Sequence, residues 1–410
     1  MTTLMILCTA PDERLEMAFE EAKRLGYRTV FCSEQDHAPS REAADAFHLV
    51  HWEDTAELVR IAREEKIDGV AGLCDAAMIP AAEISKALGL PGNSRESMQR
   101  LLYKKDFRSL QEEAGVYCPA SMICEGQESA AEAGASLRFP LIVKPMLCSS
   151  SHGMTVVQSA EELPQAFDIA SGWSRNGTVC VEEFVHNDSM RIIEADVFVM
   201  EDEILWDGVR YCYRLPSAPL RPVYDVYPVH MTQAEQEELR NTVRAVLMQA
   251  GVRLGEYNVE GFFTPEGRFF ILEINPRQAG HYNPQDIQQY CGVNLTKLVI
   301  TTAVGDTQYY DSLKSFSRTR NNILSYSVFS ERDGIFDHIY VEPQLKEKIV
   351  AVRFLHGQKE GDFVREIHEA IRPIAKVVFR FETEEALEEA RSQITKLVYP
   401  VLRESSGDIG

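Results

Sequence analysis

The chain has 410 residues, 45% of them hydrophobic and 26% charged, the mix of globular domains in water and enough chain for two to four of them. Asp and Glu number 63 against 42 Lys and Arg, a formal charge of −21, which argues against nucleic acid, whose phosphates need the opposite balance. The nine cysteines are odd in number and show no CxxC spacing, so reduced thiols fit better than a disulfide framework. The sequence shows neither a leader nor an apolar run near the ~20 residues of a membrane span. A cytoplasmic, soluble protein without a membrane partner is expected.

The first ~90 residues alternate strand and helix, the pattern of a doubly wound parallel sheet. Strands are predicted over 4–8, 29–32 and 67–73, and helices over 15–25, 55–65 and 80–88, the first and last closed by Gly26 and Gly89. The first turn, Cys8-Thr9-Ala10-Pro11, has no GxGxxG, which speaks against dinucleotide binding there. Ser94 caps a helix predicted over 97–113 that ends at Gly115. Strands at 141–144, 155–158 and 178–185, a helix at 160–169 and a hairpin about Glu201-Asp202 follow. A long helix over 234–250 precedes a second hairpin, 257–264 with 268–274, and an apolar helix over 295–304. The last ~90 residues read as α+β, with helices expected over 362–371 and 383–399 and a strand over 377–381.

The chemistry concentrates in four pieces. Phe269-Phe270-Ile271-Leu272-Glu273-Ile274-Asn275-Pro276-Arg277 is an apolar strand that delivers an acid, an amide and an arginine within five residues. Side chains alternate with period two, so Glu273 and Asn275 share a face. Polar groups on a buried face need a partner, and a hard cation with phosphate oxygens is one. Glu260, on the preceding strand of the hairpin, supplies a second acid; a solvated edge strand is the bland alternative. Lys144 closes the apolar strand of Phe139-Pro140-Leu141-Ile142-Val143-Lys144-Pro145, its stem buried and its charge at the tip. The loop Ser149-Ser150-Ser151-His152-Gly153 keeps its side chains small, so backbone N–H groups can approach phosphates, but without Walker spacing. Val181-Glu182-Glu183-Phe184-Val185 has the form of a hinge beside a purine, or of plain sheet. Lys104 lies on a helix eleven residues before Gly115 and by itself reads as a solvated lysine.

In this order, the four pieces resemble the ATP-grasp superfamily over about residues 4–305, through FPxxVKP, VEEF and EINPR motifs at 139–145, 181–184 and 273–277. The resemblance implies an N-terminal domain over 1–93, a two-lobed ATP-grasp domain over 94–320 with a mobile lid about 120–187, and a C-terminal α+β domain over 321–410. It implies ATP held by Lys104, Lys144, Ser150, Ser151, His152 and Gly153, with Glu182, Glu183, Phe184 and Val185 at adenine. It implies two Mg²⁺ ions, or Mn²⁺ in their place, on Glu260, Glu273 and Asn275, with Arg277 and Lys144 as the catalytic cations. The family's ribose-binding acid after the hinge has no clear counterpart; Asp188 and Glu194 both remain open. Arg210, Arg277, Gly280, His281 and Tyr282 are candidates for contact with substrate. The class implied is a carboxylate–amine ligase similar to L-amino-acid ligases, acting on small acids and amines through an acyl phosphate, with a homodimer as a possible assembly. Two rivals stand beside it: a purine-pathway type of enzyme that phosphorylates formate or bicarbonate, and a regulatory protein that binds nucleotide without turnover.

Overall fold

The computed structural model describes residues 1–146, 153–174, 177–187, 191–215, 218–355, 357–367 and 373–403. Its N-terminal sheet is parallel, in the order β3-β2-β1-β4, from β1 (Thr3–Leu7), β2 (Arg28–Ser33), β3 (Ala46–Leu49) and β4 (Gly69–Gly72). Helices Glu13–Arg24, Thr55–Glu64 and Asp75–Leu88 cover it, because Leu15, Ala18 and Ala22, then Leu58, Ile61 and Ala62, recur at helical spacing and bury against the strands. A Cβ at Gly69 would come within 2.2 Å of the Ala303 carbonyl oxygen, so only glycine lets β4 pack this closely on helix Leu295–Ala303.

A four-stranded sheet of order β5-β8-β6-β7 follows, built from β5 (Ser121–Cys124), β6 (Leu141–Pro145), β7 (Thr155–Val157) and β8 (Val179–Glu183). Helices Gln127–Ser136 and Leu163–Trp173 close its own small core around Leu141, Val143, Phe167 and Val181.

The central sheet has eight strands. In chain order the remaining strands are β9 (Arg191–Met200), β10 (Glu203–Leu215), β11 (Ala218–Tyr227), β12 (Leu254–Phe263), β13 (Phe269–Asn275), β14 (Asn322–Val328), β15 (Gly334–Val341), β16 (Ile349–Phe354), β17 (Phe363–Val364), β18 (Ala375–Phe381) and β19 (Val398–Arg403). The large sheet runs β13-β12-β9-β10-β11-β14-β18-β16, and β17-β15-β19 form a separate three-stranded sheet. Three C-terminal strands thus extend the central sheet, which brings Arg353 and Lys376 alongside it.

Period-two alternation divides the labour of the central sheet. Ala195, Val197 and Val199 of β9 and Tyr257 and Val259 of β12 bury with helix Gln233–Ala250 on one face. Glu194 and Asp196, then Glu256, Asn258 and Glu260, occupy the intervening positions and point to the other.

The structure corrects four expected elements. The helix over 97–113 breaks at Tyr103, which is extended (φ −93°, ψ 119°) between Arg95–Leu102 and Lys104–Glu113. The break falls where the buried face lapses between Leu101 and Phe107, with Tyr103, Lys105 and Asp106 exposed. The hairpin about Glu201-Asp202 is much longer than expected, and β10 continues through Arg210 to Leu215. Where a helix over 362–371 is expected, Phe363 and Val364 pair with Ile335 and Gly334 as strand, and 368–372 lie outside the described residues. The final helix stops at Leu397, since Val398, Tyr399 and Val401 pair with β15.

Candidate active site

The acids of the hairpin meet. β12 and β13 are antiparallel with Glu260 opposite Glu273 and Asn258 opposite Asn275; a register shift follows Glu260. On its other edge, β12 sets Glu260 opposite Glu194 and Asn258 opposite Asp196 of β9. Three carboxylates therefore lie in one row across three strands, Glu194–Glu260–Glu273, beside a second row, Asp196–Asn258–Asn275. Asn275 Nδ2 donates to Glu273 Oε1 at 3.1 Å and to Asn258 Oδ1 at 3.3 Å, and Asn258 Nδ2 donates to Asp196 Oδ1 at 2.8 Å.

Like charges directly opposite on neighbouring strands repel. Burial first, then the facing Glu273 and Glu194, push the Glu260 carboxyl well above the usual carboxylate range, against the pull of Arg214 and Arg277. Oxygen and amide donors under this strain are the donor set of a hard divalent cation.

Arg210 does not face a cleft. Its side chain is fully buried on the same face, bonded to Glu194 and Asp196 with Asp225 at 3.5 Å. The network continues outward: Lys376 Nζ lies 3.3 Å from Asp225 and 2.8 Å from Asp286 and bonds Asn283, and Arg353 meets Asp286 at 2.6 Å. Burial alone would raise the Asp286 carboxyl, but Lys376 and Arg353 outweigh it and hold it below the usual range. For Asp225 burial wins over Lys376 and Arg210, and its pKa is raised.

Lys144, at the end of β6, reaches Glu182 Oε1 at 2.7 Å, and Arg108 Nε donates to Glu182 Oε2 at 2.7 Å. Burial would raise the Glu182 carboxyl, yet the two cations lower it. Its side chain thus holds Lys144 and Arg108. Arg108 also donates to the Ile271 carbonyl at 3.2 Å, tying β8 and β6 to the strand that carries Glu273. The Glu183 carboxylate binds Arg138, and the backbone N–H groups of Glu183 and Phe184 donate to Ala120 and Pro140. Of the hinge residues, half-buried Val185 follows directly.

Gly153 has φ +69°, and a Cβ there would come within 2.7 Å of the Trp173 ring. Lys104 opens its helix, half-buried. Ser150, Ser151, His152 and Asp188 lie outside the described residues.

Arg277 Nε donates to Asp75 Oδ1 at 3.0 Å, at the start of helix Asp75–Leu88, so the end of β13 is tied to the N-terminal sheet. After Gly280, His281 (φ 53°) and Tyr282 (φ 56°) both adopt the left-handed conformation and lead into helix Asn283–Cys291. Such backbone is costly and is held here by its surroundings: the Tyr282 hydroxyl donates to Glu16 at 2.6 Å, and the Arg353 guanidinium lies 5.5 Å from its ring centre.

Arg108, Asp75, Asp196 and Asn258 were not singled out from sequence. For Asp196 the signal was available: Glu194 and Asp196 alternate within an apolar strand as Glu273 and Asn275 do. Arg108 and Asp75 had no local signal, because only the packing of separate elements gives them partners.

This fold and this set of side chains define the ATP-grasp superfamily. Residues 103–308, half of the chain, match the family model described as carbamoyl-phosphate synthase L chain, ATP binding domain, and residues 19–92 match the ATP-grasp N-terminal domain. The chain belongs to this superfamily. Among its relatives, the uncharacterized protein y4rH of Sinorhizobium fredii is 28% identical over 69% of this chain and 57% of its own length. The formate-dependent phosphoribosylglycinamide formyltransferase of Bacillus velezensis is 27% identical over 63% of this chain and 66% of its own. The chain therefore spans less than two thirds of these curated relatives. Among solved structures, the L-amino acid ligase from Bacillus licheniformis superposes with a TM-score of 0.81, over 98% of this chain and 99% of that one, at 17% identity. Phosphoribosylglycinamide synthetase from Anaerococcus prevotii gives 0.76, over 98% and 100%, at 18% identity. At such identities the likeness is one of fold.

Proposed function

We propose that this chain is an ATP-dependent carboxylate–amine ligase, which forms an amide bond through an acyl phosphate. The observation that carries the reading is the row Glu194–Glu260–Glu273, a face of crowded carboxylates with Arg214 and Arg277 in electrostatic reach of Glu260, which makes sense when a nucleotide and its cations complete it. Glu260, Glu273 and Asn275 would hold the divalent cations, two Mg²⁺ in the fullest form. When bound, such ions would supply Lewis-acid stabilisation of the phosphate charge.

The chain's own residues do the rest by position. Lys144, held by Glu182, binds phosphate oxygens as a point charge. Lys104, Gly153 and the loop before Gly153 complete the phosphate contacts, and the hinge through Val185 takes the base. Arg277 stabilises charge on the transferring phosphoryl group; a planar guanidinium suits it. The substrate carboxylate attacks the γ-phosphorus, ADP leaves, and the acyl phosphate yields to an amine with release of phosphate. Residues 120–187 act as the lid that keeps water from this intermediate, between an N-terminal domain over 1–93 and a C-terminal one over 321–410. Gly280, His281 and Tyr282 shape the substrate end. The fold shared with the L-amino acid ligase from Bacillus licheniformis supports this reading.

A second reading has its own support: the formate-dependent relative at 27% identity points to a small acid such as formate as the phosphoryl acceptor. A phosphate-release screen of amino acids and small acids, singly and in pairs, with ATP and Mg²⁺, separates the two. Release that requires a pair favours ligation; release with formate or bicarbonate alone favours the second; no release with any combination rejects both.

A further inference from the structure

Two cysteines meet at the carboxyl end of the N-terminal sheet. Cys8 follows β1 directly, and Cys74 caps helix Asp75–Leu88 just past β4. β1 and β4 are parallel neighbours with Leu7 opposite Gly72, and the Leu73 N–H donates to the Leu7 carbonyl at 3.0 Å. Neighbouring strands lie about 4.8 Å apart, within the Cα span of about 4.4–6.8 Å that a disulfide bridges. The two side chains turn toward each other, and the Cys8 thiol donates a hydrogen bond to Cys74. Both are reduced here.

Their surroundings set them apart. Cys74 lies at the N-terminus of a 14-residue helix, whose dipole favours a thiolate. The bond from Cys8, the Thr9 N–H and the Arg14 guanidinium hold its thiol below the usual value, against burial. Cys8 is pushed well above its own value by that same bond, then by burial and Asp12. Burial raises the thiols of the other six among the eight described cysteines. A nucleophilic sulfur beside a protonated one is the pairing of an attacking and a resolving cysteine. Cys8 is 0% exposed and Cys74 6%, so the oxidant that reaches them is one near the size of water. The residue after Cys74 is Asp75, whose carboxylate holds Arg277 at 3.0 and 3.5 Å.

We propose that Cys8 and Cys74 form a redox switch: hydrogen peroxide joins them as a disulfide, and the new bond draws Asp75 away from Arg277. The Cys74 thiolate attacks one peroxide oxygen, the O–O bond breaks, and Cys74 becomes a sulfenic acid while hydroxide leaves. The Cys8 sulfur then attacks the Cys74 sulfur; the S–O bond breaks, and the departing hydroxide takes the Cys8 proton as water. In sum, two thiols give up two protons and two electrons, and peroxide becomes two waters. A covalent bond is shorter than a hydrogen-bonded contact, so the start of the helix moves toward β1 and Asp75 moves with it. Misplacement of a positioning group by about 1 Å costs about 100-fold in rate. That the switch regulates ATP chemistry rests on the ligase reading; the disulfide and its reach to Arg277 do not.

The test treats the full chain with hydrogen peroxide and then with dithiothreitol. Peptide mass mapping is expected to find Cys8 joined to Cys74, and dithiothreitol to part them. Hydrogen exchange at the amides of Arg277 to Gly280 should quicken in the oxidised protein and return on reduction, with or without turnover. ADP formation should fall at least about 10-fold and recover. Cys74→Ser keeps a good helix cap and should hold both its exchange and its ADP formation through the same treatment. Cys8→Ala, left without a resolving thiol, should instead carry a sulfenic acid on Cys74 that dimedone captures. Peroxide that leaves this pair reduced overturns the proposal. So does a disulfide that leaves exchange at Arg277 unchanged, or that spares ADP formation in a chain that makes ADP when reduced. Failure of the ligase reading looks different: the reduced protein then forms no ADP, while the disulfide and the exchange response persist.

Discussion

Glu260 and Glu273 face each other directly across two antiparallel strands, with Glu194 on the far side of Glu260. Opposed carboxylates are a cost in the free protein, and a bound cation turns them into an asset. Glu273→Ala is therefore expected to abolish ADP formation, a larger loss than the ~10–100-fold typical of an outer partner of a metal ligand. The melting temperature should hold or rise, since one of two facing charges is gone. A coupled ADP assay beside a thermal melt checks both, and wild-type turnover would remove the pair from the reaction.

The pH dependence follows from Glu260. Its folded pKa lies above that of an unfolded Glu, about 4.3. The folded state then holds a proton that the unfolded state gives up. Its share of stability is fully present below the unfolded pKa and is lost as pH rises through the folded value. The metal-free protein should melt at lower temperature as pH rises from about 5 to about 8, and Mg²⁺ should recover the loss by favouring the ionised form. Glu260→Gln should flatten both responses. A melt series with and without Mg²⁺ that shows equal slopes in the two proteins would count against this assignment.

Glu182 lies between two buried cations, its side chain 4% exposed beside Arg108 at 10% and Lys144 at 9%. Glu182→Ala leaves both cations without their shared partner and should cost about 3–5 kcal/mol in urea unfolding. Lys144→Met leaves the Arg108–Glu182 pair intact and should cost less stability, while the KM for ATP rises. Equal destabilisation by the two variants would mean that the triad is not organised around Glu182.

Arg210 is the sole base touching Glu194 and Asp196 among the contacts described. Arg210→Met should cost about 3–5 kcal/mol or prevent folding, because buried acids lose their counter-charge. Arg210→Lys should recover only part of this, since one ammonium cannot span carboxylates that a guanidinium forks between. A variant with near wild-type unfolding and a raised KM for the acid would instead restore Arg210 as a substrate contact.

Gly69→Ala places a methyl against the Ala303 carbonyl, within 2.2 Å before relaxation. Overpacking of this kind costs about 1–3 kcal/mol. The loss should appear in urea unfolding; unaltered stability would show that the two elements part easily.

The amino-acid sequence by itself determined the superfamily and the alternation of elements, and period two fixed that Glu273 and Asn275 share a face; that Glu260 stands opposite Glu273 was decided by the register shift beside Glu260. The sequence also held Gly26 and Gly89 as helix stops, each left-handed in the structure. Only the tertiary structure decided that Arg210 is a buried counter-charge, that Glu182 holds Lys144 and Arg108, and that Arg277 reaches Asp75. Each of these depends on residues far apart in the chain, from 14 positions for Arg210 and Asp196 to 202 for Arg277 and Asp75. Side-chain chemistry is written residue by residue, but a charge acquires its role from its partner, and packing alone chooses the partner.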